Sequence, residues 1–179
     1  MPAPIRLGGR GAVINLKLCI MIEPIRFEDL PSMHFAGLRQ HHAFDGIAQT
    51  VAAQWRLFNQ DMRPRMLAMG VSDGAVSYGL ACGVGPLGLE YMCGQQVPNF
   101  DAVPSGVGRL IAPAHKYAVF HHSGHVAQIG QTWQAIMNDW LVQSAWRSAH
   151  LPDFERYDQR YSASTGEGGF DIYVSVIAA

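Results

Sequence analysis

A carboxylate and a phenol lie two residues apart in the segment Phe154-Glu155-Arg156-Tyr157. Alternate side chains of a β-strand point to the same face, so Glu155 and Tyr157 would lie side by side on a strand. If that face is enclosed, burial disfavours the ionised carboxyl and raises its pKa, and an organic cation would supply the missing partner. The alternative is a surface glutamate that pairs with Arg156 or Lys116.

Other aromatic residues could complete a cation site, because aromatic π-faces attract positive charge. Tyr78 and Tyr91 fall in predicted strands, where ordinary sheet packing is the alternative. Trp146 lies beyond the helical pattern and could line a groove or a subunit contact. The remaining tryptophans recur at helical spacing, which favours packing in the core: Trp55, Trp133 and Trp140.

The histidines and cysteines do not predict a metal site or a cofactor. His41-His42 and His121-His122 are adjacent pairs, and neighbouring side chains on a strand point to opposite faces. The three cysteines form no CxxC pair, which disfavours a disulfide framework or structural zinc. Glu155 with a nearby histidine could activate water for hydrolysis, but no GxSxG nucleophile motif is present, so we expect a binding protein rather than an enzyme.

Charge and hydropathy bound the class of protein. The 179 residues carry 13 basic and 14 acidic side chains, with no basic run, so we expect no direct contact with nucleic acid. No apolar run reaches the ~18 residues that a membrane-spanning helix needs. The sequence therefore favours a cytoplasmic globular domain.

Periodicity predicts the same order of elements twice, strand–helix–strand–strand. The predicted strands cover 33–39, 77–82, 88–97, 109–122 (a pair, or one strand bent at Pro113), 154–161 and 170–177, and the helices cover 46–60 and 126–142. Asp45 is a candidate N-cap of the first helix, and Pro64 should end it. We expect an α+β fold with modules at about 22–98 and 107–178, an antiparallel sheet, and both helices on one face. The other face would be free to form a ligand groove between the modules.

Residues 1–21 do not fit either module. They contain arginines, glycines and one apolar stretch, and we interpret them as an N-terminal extension that precedes a domain at 22–179. The alternative is an extra strand, Val13–Cys19, against a sheet edge or a neighbouring subunit.

This plan resembles the effector-binding domain of the AraC family, also called the GyrI-like small-molecule-binding domain. The resemblance covers about residues 22–177 and is most specific in 111–124, in 132–141 and in Asp153-Phe-Glu-Arg-Tyr157, with a fit at 166–174 and a weaker one at 88–94.

The resemblance implies a pocket whose floor carries a glutamate that faces a cationic ligand, and Glu155 occupies the matching position. It also implies lipophilic cations as ligands. Together with the aromatic residues selected above from their strand positions, this gives the expected ligand-binding set for an aromatic cation: Glu155, Tyr157, Tyr91, Tyr78 and Trp146. No helix-turn-helix domain precedes residue 22, so we expect a stand-alone receptor. Two alternatives stay open: an interaction module that acts on gyrase or on a separate DNA-binding subunit, and a hydrolase of strained electrophilic toxins. A homodimer is compatible with each of these functions.

Overall fold

The first half of the chain forms strands around one long helical segment. The computed structural model describes residues 22–179, so both interpretations of 1–21 lie outside it. The elements are β1 (Arg26–Leu30), β2 (Met33–Ala43), α1 (Ile47–Leu57), a π-helical turn (Phe58–Met62), α2 (Arg63–Ala68), β3 (Ser77–Gly85) and β4 (Gly88–Val97). We refer to residues 47–68 as the first helical segment.

The second half repeats this order. It contains β5 (Gly108–Ala112), β6 (His115–His122), a 3₁₀ turn (Val126–Gln128), α3 (Ile129–Gln134), a π-helical turn (Ala135–Trp140), α4 (Leu141–Gln143), β7 (Trp146–Ser148), β8 (Asp153–Tyr157) and β9 (Phe170–Ala178). Residues 126–143 are the second helical segment. The strand is interrupted at Pro113, so residues 109–122 form a pair of strands, β5 and β6.

The strands form one curled antiparallel sheet in the order β1-β6-β9-β8-β3-β4-β2-β5, and β7 pairs with the end of β9. The two modules meet at its centre, where β3 pairs with β8 and Gly79 lies opposite Glu155. Each edge strand is exchanged: β1, the first strand of the first module, pairs with β6 of the second, and β5, the first strand of the second module, pairs with β2 of the first. The predicted α+β fold with two related modules is confirmed.

Both faces of the sheet are packed. The helical segments cover one face, where Phe58, Met66 and Ile136 are fully buried. The other face holds a separate core of strand side chains, led by Phe35, Tyr78, Leu80, Met92, Tyr117, Phe154 and Tyr173. The expectation that this face is free is therefore wrong, because the sheet curls and large aromatic side chains fill its inner surface.

The first helical segment differs from its prediction at both ends. Its N-cap is Gly46, in a left-handed conformation with φ of 70°, and no side chain caps the helix, so Asp45 does not have that role. Pro64 does not end the segment. The π-helical turn changes the hydrogen-bond register just before Pro64, so the missing N–H falls in the first turn of α2, where proline is tolerated.

The strands also differ from their prediction. β2 continues to Ala43 rather than ending at 39, and β3 continues to Gly85 rather than ending at 82. β1 and β7 are short strands that the sequence pattern did not predict. β8 ends at Tyr157 rather than at 161, because the Asp158 carboxylate accepts the Arg160 backbone N–H and turns the chain. No helix within residues 22–179 is long and apolar enough to cross a membrane.

Candidate functional site

Glu155 lies at the centre of the sheet on the face covered by the helices, and only 6% of it is exposed. Its neighbour across the β3–β8 pair is Gly79. A Cβ at position 79 would overlap the Tyr91 hydroxyl and the Glu155 carboxylate. Gly79 therefore leaves the room in which these two groups meet.

Three neutral donors hold the Glu155 carboxylate. The Tyr91 hydroxyl donates to Oε2 at 2.6 Å, the Tyr157 hydroxyl donates to the same oxygen at 2.9 Å, and the Trp133 indole N–H donates to Oε1 at 2.9 Å. The donors come from β4, β8 and α3, so the sheet and the second helical segment both position the acid.

A second layer of rings surrounds these donors. The Trp55 indole N–H, from α1, donates to the Tyr91 hydroxyl at 3.2 Å, and the Trp55 ring packs edge-on against Tyr157 with centroids 5.2 Å apart. Tyr161 packs on the other side of Tyr157 at 4.8 Å. Trp55, Trp133 and Tyr161 are only partly buried, so they connect the surroundings of the acid to the protein surface.

Burial dominates the electrostatics of the site. It raises the pKa of Glu155 above its ordinary value, and the hydrogen bonds from Tyr91, Trp133 and Tyr157 oppose that rise because they favour the charged form. Burial also raises the pKa of Tyr91 and of Tyr157, so both phenols stay protonated and act as donors.

Within the described part of the chain, no basic side chain forms an ion pair with Glu155. Arg156 points to the opposite face and pairs with Asp158 at 2.6 Å, and Lys116 pairs with Asp29 at 2.7 Å. The alternative of a surface glutamate paired with Arg156 or Lys116 is therefore wrong. The site is an enclosed acid with polar donors around it, and residues 22–179 supply no counter-charge to it.

The structure brings Tyr91 and Tyr157 to Glu155 but not Tyr78 or Trp146. Tyr78 precedes Gly79 on β3, so its side chain points to the other face, where it packs on Phe35 with centroids 4.9 Å apart. Trp146 lies on β7 and packs against Phe27 at 4.9 Å. Neither forms a hydrogen bond with the acid.

Sequence reasoning missed Trp55 and Trp133, which it assigned to core packing. Their helical spacing does place them on the core-facing side, and they do pack there. Their indole N–H groups also reach the acid and its tyrosine, and no one-dimensional pattern carries that information. Trp140 packs in the core as expected, with its N–H on Glu23 at 3.2 Å.

Three of the histidines form hydrogen bonds away from Glu155. His42 and His122 bond to Thr50 and Thr132, and His121 bonds to Asp171 at 2.9 Å. No histidine hydrogen-bonds to Glu155 in residues 22–179, so the acid–histidine pair that hydrolysis would use does not form there. The same residues contain no group of three or more side chains placed to hold a metal ion.

Comparison with known proteins places the chain in a family. The model of the GyrI-like small-molecule-binding domain matches residues 23–177. The transcriptional regulator BrlR of Pseudomonas aeruginosa is 32% identical over 153 residues, which are 84% of this chain and 54% of BrlR, so the chain spans about half the length of that relative.

Two solved structures share the fold at low identity. The structure of SAV2435 bound to tetraphenylphosphonium has a TM-score of 0.68 at 19% identity and covers 85% of this chain and 93% of its own. The EcmrR–DNA complex has a TM-score of 0.64 at 13% identity and covers 86% of this chain and 57% of its own. The similarity in sequence and fold extends over nearly all of the described residues, and the chain belongs to the GyrI-like small-molecule-binding domain family.

Proposed function

We propose that this domain binds lipophilic organic cations and that Glu155 is the charge partner of the ligand. One observation carries the proposal: a buried carboxylate is held by three neutral donors and has no basic partner among the described residues. A buried anion without a counter-ion is unfavourable, and a cation that enters the site removes this penalty. A neutral ligand does not, so the acid selects for positive charge.

The aromatic rings should provide most of the affinity. Burial of ~300 Å² of apolar ligand surface at ~25 cal/mol per Å² gives roughly 7 kcal/mol before the costs of association are subtracted. Each ring that faces the cation adds about 0.5–2 kcal/mol. A buried ion pair is often near break-even after desolvation, so Glu155 should set charge preference more than affinity.

The closed arrangement implies a rearrangement on binding. Glu155 is only 6% exposed, so a ligand must separate some of the partly buried rings that cover it, Trp55, Trp133 or Tyr161. The fold shared with SAV2435, whose structure contains bound tetraphenylphosphonium, supports a ligand of this size and charge.

Calorimetric titration with tetraphenylphosphonium and with neutral triphenylphosphine oxide tests the proposal. We expect a Kd of about micromolar for the cation, or about −8 kcal/mol, and weaker binding of the neutral compound. Glu155→Gln should weaken binding of the cation and leave binding of the neutral compound unchanged. Glu167→Gln, an exposed acid on the loop before β9, is the control and should change neither.

Two results would overturn the proposal: no binding of the cation by the folded protein, or an equal effect of Glu155→Gln on both compounds, whether both affinities are unchanged or both fall alike. The pH dependence gives an independent check. Because burial raises the pKa of Glu155, cation affinity should fall as the pH is lowered through that pKa and protons replace the ligand.

A further inference from the structure

Gln54 is a polar side chain buried beneath the first helical segment, and only 1% of it is exposed. Its amide nitrogen donates to two main-chain carbonyls, Leu38 O at 2.8 Å and Tyr91 O at 3.1 Å. Its amide oxygen lies 2.6 Å from Nε2 of His42. Because the amide nitrogen faces two acceptors, the oxygen must face His42, and His42 must donate from Nε2.

The second module shows that the fold does not need this amide. In each module a buried histidine lies near the end of the strand that precedes the helical segment, β2 or β6. The histidine contacts a helix threonine through Nδ1: His42 with Thr50 at 2.9 Å, and His122 with Thr132 at 2.8 Å. Four residues after the threonine, the first module has Gln54 and the second has Ile136, which is fully buried. An apolar side chain therefore fits the same place.

The module that has the buried amide is also the module that contains Tyr91, one of the donors to Glu155. Gln54 bonds the main chain of Tyr91, and the next residue, Trp55, bonds its hydroxyl. The same hydroxyl donates to Glu155 at 2.6 Å. On the facing strand, the register of β3 shifts between Ala81 and Gly83, next to the Ala81–Tyr91 pair. At this irregular place in the ladder, Gln54 gives the Tyr91 carbonyl a donor.

We propose that Gln54, oriented by His42, is a positioning residue that holds Tyr91 where its hydroxyl can donate to Glu155. His42 bonds Gln54, Gln54 bonds the main-chain carbonyl of Tyr91, and the side chain of the same tyrosine reaches the acid with its hydroxyl. This inference rests on the proposed function only in that Glu155 faces the ligand. Burying an amide is unfavourable unless its bonds are made, and here the bonds hold in place the group that stabilises the charged acid.

The test compares four single variants of the full chain. Gln54→Met keeps the shape of the side chain and removes its hydrogen bonds. His42→Leu removes the histidine, His42→Gln keeps an N–H near the position of Nε2, and Gln49→Met is an exposed control on the same helix. The ionisation midpoint of Glu155 is followed in the ligand-free protein by NMR of ¹³C-labelled glutamate carboxyls, assigned with Glu155→Gln. Tetraphenylphosphonium affinity is measured in parallel.

We expect Gln54→Met and His42→Leu to raise the midpoint, because a displaced Tyr91 no longer stabilises the anion. Cation affinity should weaken about fivefold, or about 1 kcal/mol, as expected for the loss of one hydrogen bond. The midpoint and the cation affinity of His42→Gln should lie nearer to those of the unaltered protein than the values of His42→Leu do. Both values of Gln49→Met should match those of the unaltered protein.

A double-mutant cycle separates positioning from general destabilisation. In a Tyr91→Phe background the hydroxyl is absent, so Gln54→Met should cause no further rise in the midpoint. An unchanged midpoint in folded Gln54→Met, or an undiminished rise in the Tyr91→Phe background, would overturn the inference. If Gln54→Met does not fold, the midpoints of His42→Leu and His42→Gln decide instead. An unchanged midpoint in folded His42→Leu would then overturn the inference. Failure of the protein to bind the cation would count against the proposed function, and the midpoint would still test the role of Gln54.

Discussion

Gly79 and Glu155 face each other across the strand pair that joins the two modules, and the acid uses the space that the glycine leaves empty. The carboxylate and the Tyr91 hydroxyl meet above Gly79, on the face that the helical segments cover. The centre of the pseudo-symmetric sheet is thus also the centre of the candidate site. At this point the strand of the first module carries the glycine, and the strand of the second module carries the acid.

Gly79→Ala should disrupt the site. The added methyl group would displace the Tyr91 hydroxyl and the Glu155 carboxylate, so we expect a loss of roughly 1–3 kcal/mol in the free energy of unfolding and a clear loss of cation affinity. Gly83→Ala is the matched control on the same strand, because a Cβ there meets no atom within 4 Å. Urea denaturation and calorimetry measure both effects, and equal behaviour of the two variants would contradict the geometry.

Tyr157 and Tyr78 should respond differently to loss of the hydroxyl. Tyr157→Phe removes a donor to Glu155 and should weaken the binding of tetraphenylphosphonium about fivefold, which is the effect of losing one hydrogen bond of about 1 kcal/mol. Tyr78→Phe alters a ring on the opposite face and should leave the affinity unchanged. Titration of both variants with the same cation checks this, and a comparable loss in Tyr78→Phe would place the ligand on the other face of the sheet.

Tryptophan fluorescence should report binding through Trp133 rather than Trp146. The Trp133 indole contacts the acid, so a ligand that reaches Glu155 must change its surroundings, whereas Trp146 packs on Phe27. We expect the emission change caused by tetraphenylphosphonium to shrink in Trp133→Phe and to persist in Trp146→Phe. The opposite pattern would favour a groove near β7.

Asp153 should make stability depend on pH. Burial raises the pKa of Asp153 from 3.8 to about 6, despite the hydrogen bonds that it accepts from the backbone N–H and the hydroxyl of Ser175. The folded state therefore binds the proton more tightly than the unfolded state, and the contribution of Asp153 to stability falls as the pH rises from about 4 to about 6.

Asp153→Asn should remove that dependence, because an amide can still accept from Ser175 and does not ionise. The full effect of a pKa moved from 3.8 to about 6 corresponds to roughly 3 kcal/mol. We expect the variant to gain stability relative to the unaltered protein between pH 4 and pH 7 in urea denaturation. A difference in unfolding free energy that stays constant over this range would show that Asp153 is not the group responsible.

Much of the architecture follows from local pattern. The apolar spacing of each helix, the alternation along β4 and β9 and the turn residues between them determine the element order, and two copies of that order imply the paired modules. Glu155, Tyr157 and Tyr91 could be selected in advance, because residues two apart on a strand share a face and because the family motif points to the acid.

Other features depend on how the elements meet. Tyr78 was expected near the acid, but its side chain lies on the other face of the sheet. A strand alone does not reveal which of its faces carries the acid, and a difference of one residue reverses the answer. The π-helical turns, the exchanged edge strands and the curling that fills the second face are consequences of packing between elements distant in the chain.

The α+β class, the repeated module and an acid beside a tyrosine follow from the amino-acid sequence, since each is a property of neighbouring residues. The enclosure of this acid, the contacts of Trp133 and Trp55 around it, and the bond from Gln54 to the main chain of Tyr91 follow from the three-dimensional fold. Burial and hydrogen bonding are relations between β3, β4, β8 and the helices, and these elements approach one another only in the folded chain.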